Sequence, residues 1–209
     1  PRDKPFFVYL SFNAVHVPLD TTPAYEARYA GVADPIRRVH LAQLAAMDDA
    51  VGQVVAALER RGLSKRTLVI FASDNGGPTA ENSFSNGPLS GFKGLVLEGG
   101  IRVPTIVQWE GRLPAGRTFD KPVMGFDLAA TSLAAGGALP SGGLDGVDLV
   151  PYLTGARGGD VHEALFWRSQ SQGAVRAGRW KAVKNVDTWH LFDLSTDIAE
   201  RRDLAAKDP

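Results

Sequence analysis

The chain has 209 residues, of which 44% are hydrophobic and 22% charged, a composition close to the average of globular domains. The 23 basic residues balance the 23 acidic ones, so no overall charge would draw the protein to nucleic acid, and we expect no such partner. The absence of cysteine excludes disulfides, thiolate metal sites and a cysteine nucleophile within these residues.

The first 77 residues predict a strand, a helix and a second strand in that order. The run Phe6–Phe12 is aromatic and β-branched throughout, as in a strand covered on both faces. Asp34-Pro35 predicts the start of a long amphipathic helix that extends to Gly62. The apolar run Thr67–Ala72 predicts a buried strand that stops just before Asp74-Asn75. This alternation indicates an α/β domain with a mainly parallel sheet and flanking helices, in which ligands bind beyond the carboxyl ends of the strands.

A glycine-rich loop, a strand and a helix follow. The loop over residues 78–100 leads to a predicted strand at Thr105–Trp109. Asp127 is expected to cap a helix over Leu128–Ala135. The longest uncharged run, Leu128–Leu144, is interrupted by glycine and proline and is shorter than the ~18 apolar residues of a membrane span. We therefore expect no membrane span.

The last fifty residues differ in pattern from the rest. Short aromatic-bearing runs at Glu163–Ser169, Gly173–Asn185 and Trp189–Leu194 are separated by turn residues. They predict a small antiparallel sheet appended to the α/β domain. We therefore expect an α/β domain over residues 1–157 and an antiparallel β subdomain, with a terminal helix or turn, over residues 158–209.

Asp74 and Asn75 are candidate metal ligands at the end of the second predicted strand. A carboxylate and an amide carbonyl are hard oxygen donors that suit Ca²⁺ or Mg²⁺ rather than zinc. Calcium takes about six to eight oxygens, so further ligands would have to come from elsewhere. The alternative is that Ser-Asp-Asn-Gly forms a plain turn.

Two cationic side chains are candidate anion contacts. Lys93 lies in a loop between Gly91 and Gly94, where a flexible backbone would let an anion approach the ammonium group. His16 follows the first predicted strand and could serve as an acid or as an anion donor. Lys93 could instead be a solvated loop residue, and His16 a structural histidine. The nearby Glu98 and Arg102 are spaced to pair with each other and brace a turn.

Several segments of the chain carry a family resemblance, namely residues 14–19, 68–77, 86–94, 98–104, 145–149, 174–176 with 180–181, and 191–194. Taken together and in this order, they resemble the sulfatase family of the alkaline-phosphatase superfamily. The likeness covers almost the whole chain, and it implies an alkaline-phosphatase-like α/β fold.

The resemblance also implies an activity and a set of site residues. Family members cleave sulfate esters with a formylglycine nucleophile, made from cysteine or serine, and one Ca²⁺. Asp74 and Asn75 match two of the family's metal ligands. His16 and Lys93 match residues that hold the sulfate and protonate or stabilise the leaving oxygen. The expected substrate is a small-molecule or glycan sulfate ester.

Parts of the family's active site are missing from these residues. The chain has no cysteine, and no serine stands two residues before a proline and four before an arginine, so the nucleophile motif is absent. The family's upstream Asp-Asp segment, which would give the first two metal ligands, is absent too. We therefore interpret the chain as the C-terminal part of a sulfatase that is inactive by itself. Family members are often exported, which favours the periplasm or secretion.

Two other functions remain open at this stage. A phosphomonoester or phosphodiester hydrolase of the same superfamily would need similar charge compensation. A non-catalytic anion-binding module would keep the fold without the chemistry. Rates on an aryl sulfate and an aryl phosphate would distinguish a sulfatase from a phosphate ester hydrolase. The native length of the protein bears on the non-catalytic module.

Overall fold

The computed structural model describes residues 4–79, 83–138 and 142–206, which form two compact units. The first unit is built from the chain up to Thr67 together with the segment 78–84. The second is built from Leu68–Gly77 and everything from Ser85 onward. The predicted boundary between residues 157 and 158 stays a prediction.

The first unit is helical. Helix α1 spans Pro23–Ala27, helix α2 spans Pro35–Arg60, and a short 3₁₀ turn follows at Ser64–Arg66. The long predicted helix is confirmed. Its predicted cap is present too, because Asp34 Oδ1 accepts hydrogen bonds from the backbone N–H groups of the second and third helical residues at 2.9 and 3.3 Å.

Helix α2 has one buried histidine and one ion-paired carboxylate. His40 is 2% exposed and packs against Phe84, with ring centroids 4.7 Å apart and the ring planes tilted by 38°. Asp49 accepts hydrogen bonds at 3.0 Å from Arg28 and from the Tyr25 hydroxyl, and these tie α1 to α2. Within the described part of the chain, α2 alone is long and apolar enough by length and composition to cross a membrane. The carboxylates near its middle would be costly in a bilayer, and the expectation of no span stays a prediction.

The prediction of a buried strand at Phe6–Phe12 is wrong for this structure. No strand is assigned there, and Phe7 and Tyr9 are 77% and 81% exposed. A strand requires a hydrogen-bonded neighbour, and no strand of the described residues pairs with this segment.

The second unit begins with a two-stranded sheet. Strand β1, Val69–Ala72, pairs with strand β2, Thr105–Gln108. Between them in the sequence lies the one-turn helix α3, Glu98–Ile101. The two strand positions confirm the sequence predictions. The pairing is antiparallel, with Val69 opposite Gln108, so the prediction of a mainly parallel sheet is wrong for the pairs described. Periodicity shows which segments extend, whereas strand direction depends on the connections made between them.

Helix α4 follows at Gly125–Ala135, and the one-turn helix α5 lies at Val150–Leu153. The predicted helix is thus present but begins earlier, so Asp127 is its third residue rather than its cap. The Asp127 carboxylate still stabilises the N-terminus of the helix, because its Oδ2 accepts a hydrogen bond from the backbone N–H of Met124 at 2.7 Å. A core cluster of Leu149, Tyr152 and Val161 lies in this region.

The predicted C-terminal antiparallel sheet is confirmed. Four strands lie in sequence order, and each pairs with the next through a short turn. They are β3 at Leu165–Ser169, β4 at Gln172–Ala177, β5 at Trp180–Asn185 and β6 at Thr188–Asp193. One sheet face buries Ala174, Val183 and Phe192 in a cluster with Val96, so the glycine-rich loop packs on this sheet.

Candidate active site

The Asp74-Asn75 turn lies directly after β1. Ser73 N–H donates to the carbonyl of Pro104 at 3.1 Å, and the Ser73 hydroxyl donates to the Asn75 carbonyl at 3.0 Å. The Asp74 side chain is exposed, and that of Asn75 is half-buried. The Asn75 amide Nδ2 donates to the Gly76 carbonyl at 3.1 Å.

These two side chains fit a hard cation by their donor chemistry. Adjacent residues supply a carboxylate oxygen and an amide oxygen, the kind of ligand that Ca²⁺ and Mg²⁺ prefer. Within residues 4–79, 83–138 and 142–206, no group of three or more aspartates, glutamates or histidines could hold an ion. Asp74 and Asn75 therefore supply part of a ligand set, and the remaining oxygens of a calcium site must come from other groups.

The Lys93 loop is shaped by glycines and tied to the Asp74-Asn75 turn. Gly91 and Gly94 have φ angles of +88° and +90°, a backbone conformation that residues with a side chain rarely adopt. The Asn86 side chain joins the two loops. Its Oδ1 accepts the Gly77 N–H at 2.9 Å, and its Nδ2 donates to the Gly77 and Gly91 carbonyls at 2.9 and 3.2 Å.

Helix α3 is the backbone surface on which both loops rest. Gly76 N–H donates to the Gly100 carbonyl at 3.0 Å, which fixes the Asp74-Asn75 turn. Gly99 N–H donates to the Ser90 carbonyl at 2.6 Å, which fixes the start of the Lys93 loop. A Cβ at Gly100 would lie 2.1 Å from the Leu95 carbonyl oxygen, so only glycine allows this approach.

A buried ionic cluster holds α3 from the other side. Lys181, which is 0% exposed, places its Nζ 2.9 Å from Glu98 Oε1 and 2.8 Å from Glu200 Oε1. Glu200 Oε2 accepts the Glu98 backbone N–H at 2.6 Å. Arg176 and Arg102 lie farther off, 3.7 and 3.8 Å from Glu98 Oε2. Burial raises the pKa of Glu200, and the Lys181 ammonium offsets part of that rise.

The structure brings three of the four predicted site residues into one arrangement. Asp74, Asn75 and Lys93 all lie in the second unit, on loops joined through Asn86 and α3. His16 lies in the first unit, in a turn that is exposed, where its Nδ1 is 2.6 Å from the Val17 carbonyl oxygen. The roles of all four residues stay predictions.

Sequence reasoning missed three residues of this region. Asn86, Lys181 and Glu200 fell inside or beside segments that resemble the sulfatase family, but no role was predicted for them. Lysine and glutamate are usually exposed, so burial of Lys181 between two carboxylates has no signal in a single sequence. The predicted Glu98–Arg102 pair is present, although Lys181 is the nearer partner of Glu98.

Comparisons with known proteins agree with this fold. The family model Sulfatase matches residues 1–138, and the model N-sulphoglucosamine sulphohydrolase, C-terminal, matches residues 92–208. Arylsulfatase D of Homo sapiens is 36% identical over 252 residues, an alignment that covers 97% of this chain and 40% of that protein.

Solved structures of two kinds also match. Ps i-CgsB in complex with k-i-k-neocarrahexaose has a TM-score of 0.90 at 32% identity, covering 99% of this chain and 48% of that one. Phosphonate monoester hydrolase of Agrobacterium radiobacter has a TM-score of 0.63 at 25% identity, covering 82% of this chain and 37% of that one.

The chain contains helices, an antiparallel strand pair and a four-stranded antiparallel sheet, which make it a mixed α/β chain. It shares this fold with the two solved structures above. The chain belongs to the sulfatase family. It spans 33% of the length of Steryl-sulfatase of Rattus norvegicus and 40% of that of arylsulfatase D.

Proposed function

We propose that the whole protein is a sulfuric ester hydrolase that cleaves a sulfate monoester of a small molecule or a glycan. One observation carries the proposal: in a chain of the sulfatase family, the Asp74-Asn75 turn and the Lys93 loop rest on the same helix and share the Asn86 hydrogen bonds. Candidate oxygen ligands and a cationic side chain thus lie on neighbouring loops. This combination suits the binding of a metal ion beside an anionic ester.

In this proposal, Asp74 and Asn75 hold Ca²⁺, or Mg²⁺, through their oxygens. When bound, such an ion polarises the oxygens of the sulfuryl group. Lys93 neutralises charge on the sulfate and donates hydrogen bonds to its oxygens. His16 contacts the sulfate and donates a proton to the leaving oxygen, on which negative charge develops as the ester bond breaks.

The nucleophile belongs to the proposal as well. The resemblance to the family implies a formylglycine, and these 209 residues contain neither a cysteine nor a serine in the corresponding motif. The formylglycine would therefore come from a part of the protein outside this sequence, and this chain by itself would not turn over a sulfate ester. We also propose an alkaline-phosphatase-like α/β domain over residues 1–157, no membrane span, and a periplasmic or secreted location.

A second candidate function is hydrolysis of a phosphate or phosphonate ester. The structural similarity to phosphonate monoester hydrolase of Agrobacterium radiobacter favours it. Sulfuryl and phosphoryl transfer both build charge on oxygens that a metal ion and cations stabilise. The sites would therefore share Asp74, Asn75 and Lys93 and differ in the charge of the preferred ester.

The test is a comparison of kcat/KM for an aryl sulfate, an aryl phosphate and an aryl phosphonate, measured with the full-length protein. We expect the sulfate to be preferred, and Lys93→Ala to lower kcat about 10²-fold, as removal of one transition-state donor does. Lys184→Ala, on strand β5, is the matched control and should retain wild-type rates. Preference for the phosphate or phosphonate would support the second candidate. Binding of sulfate without turnover of any ester would support a non-catalytic module.

A further inference from the structure

Helix α3 bears both candidate loops, the Asp74-Asn75 turn and the Lys93 loop. Helix α3 is only four residues long, Glu98-Gly99-Gly100-Ile101. Its two glycines have no side chains with which to anchor it. Neither could be replaced, because a Cβ at Gly99 would lie 2.5 Å from the Gly91 carbonyl oxygen, and one at Gly100 would lie 2.1 Å from that of Leu95. Glu98 is the member of α3 with a fully buried, hydrogen-bonded side chain, and Ile101 is only partly buried.

Glu98 is bound from two directions by residues far away in the sequence. Its carboxylate pairs with Lys181 on β5, and its backbone N–H donates to Glu200 in the C-terminal segment. Lys181 also pairs with Glu200, so the three residues close a ring of contacts between 2.6 and 2.9 Å. The Lys181–Glu98 hydrogen bond and the Glu98 N–H bond to Glu200 attach α3 to β5 and to the C-terminal segment.

The same sheet and C-terminal segment also hold the Lys93 loop directly. The Ser169 hydroxyl at the end of β3 donates to the Gly94 carbonyl at 2.9 Å. The Ser90 hydroxyl donates to the Ala199 carbonyl at 2.5 Å, one residue before Glu200. The Lys93 loop is thus attached at two further points, one on the small sheet and one on the C-terminal segment.

We propose that Lys181, Glu98 and Glu200 form a positioning cluster through which the C-terminal sheet sets the spacing of the Asp74-Asn75 turn and the Lys93 loop. The residues are positioning residues, because they act through α3 and not on the substrate. The inference rests on the proposed function for its consequence in catalysis. The mechanical coupling itself is independent of which ester is cleaved.

The consequence for the C-terminal sheet follows from the geometry. A shift of α3 would move Gly76 and Ser90 together, since both are hydrogen-bonded to its backbone. Catalysis that depends on a metal ion and a cation at one ester group is sensitive to displacements of about 1 Å. The sheet therefore acts as part of the site although none of its residues needs to contact the substrate.

The experiment uses the full-length protein with Lys181→Met, Glu200→Gln and a matched control, Lys184→Met. Lys184 lies on the same strand, and its ammonium sits over the ring of Trp189, away from the cluster. Glu200→Gln keeps the Lys181–Glu98 pair and nearly the same volume, so it remains informative if Lys181→Met does not fold. Amide hydrogen exchange, Ca²⁺ affinity by calorimetry, and kcat and KM for an aryl sulfate are measured well below each variant's Tm.

We expect amides of residues 73–77 and 89–97 to exchange at least tenfold faster in both cluster variants, while those of the core segment 147–153 are unchanged. Ca²⁺ affinity and kcat should fall at least tenfold, with KM changed by less than threefold. Lys184→Met should match the wild type in all of these.

The inference is overturned if both cluster variants have a lower Tm but keep the loop exchange, Ca²⁺ affinity and kcat of Lys184→Met. The cluster would then stabilise the fold alone. If the wild-type protein does not hydrolyse aryl sulfate, the proposed function fails, and the exchange of the two loops still decides whether the cluster positions them.

Discussion

A Cβ atom added to Gly76 would lie 1.7 Å from the carbonyl oxygen of Gly99. The turn that carries Asp74 and Asn75 thus packs backbone against backbone on helix α3, with no room for any side chain. At this close approach, the Gly76 N–H donates a hydrogen bond to the carbonyl of Gly100 at 3.0 Å. A close backbone contact and a hydrogen bond consequently join the Asp74-Asn75 turn to helix α3.

Gly76→Ala tests this contact. The added methyl group must push the turn away from α3, because the obstructing atom is backbone and cannot rotate aside. We expect a loss of about 1–3 kcal/mol of stability, as for overpacking elsewhere, together with a tenfold or greater loss of Ca²⁺ affinity. Urea unfolding and calorimetric titration of the full-length protein measure the two effects. Wild-type values for both would show that the close contact is absent.

Gly52→Ala should have the opposite effect on stability. Gly52 lies in the interior of helix α2, where a Cβ would meet no atom within 4 Å other than the backbone of its own helix and its chain neighbours. Alanine costs less backbone entropy in a helix, so we expect a gain of about 0.5–1 kcal/mol. The same urea unfolding measurement detects it, and activity should not change. A loss of stability would mean that this position is not helical or not open.

Asn86→Ala should loosen the link between the two candidate loops. The substitution removes three hydrogen bonds, two to Gly77 and one to Gly91. We expect a stability loss of about 1.5–4.5 kcal/mol, since each of the three bonds contributes roughly 0.5–1.5 kcal/mol, and a lower kcat. Asn185→Ala is the control, because Asn185 is exposed at the end of β5. Equal behaviour of the two variants would contradict the bridging role.

The C-terminal segment is predicted to detach in acid through Asp203. Its carboxylate accepts the N–H groups of Ala205 and Leu191 and pairs with His190, and these bonds lower its pKa to about 2. A lowered pKa in the folded state means that the contribution to stability is present above the unfolded pKa of about 3.9. It is lost as the pH falls from there through about 2.

The measurement is the difference in unfolding midpoint between the wild type and Asp203→Asn as a function of pH. The difference should be constant from pH 5 to 6 and shrink between about pH 4 and pH 2. Asp187→Asn, in the exposed turn before β6, is the control for replacing a surface carboxylate. A difference that grows as the pH falls would have the wrong sign and would contradict the assignment.

Local features of this protein could be predicted from its sequence because they depend on neighbouring residues. The cap at Asp34, the extended run after Thr67 and the turns of the C-terminal sheet are each determined by a few adjacent residues, and the structure has them. The glycines around Lys93 pointed to a special backbone, and two of them have positive φ. The Asp74-Asn75 turn was placed correctly at a strand end.

Long-range pairing could not be predicted in the same way. The direction of β2 relative to β1, and the exposed state of Phe6–Phe12, depend on which segments meet, and apolar periodicity does not contain that information. The cluster around Lys181 is a stronger case. Its partners lie 83 and 19 positions away in the sequence, and a buried lysine becomes reasonable only once both carboxylates are seen around it.

The measurement that tests the central claim most directly is the calcium dependence of aryl sulfate hydrolysis by the full-length protein and by its Asp74→Ala variant. After chelation of metal, added Ca²⁺ should restore hydrolysis in the wild type and in the control Asp187→Ala, but not in Asp74→Ala at the same concentration. Full hydrolysis without added metal, or equal restoration in Asp74→Ala, would contradict the assignment of Asp74 as a metal ligand in a sulfatase.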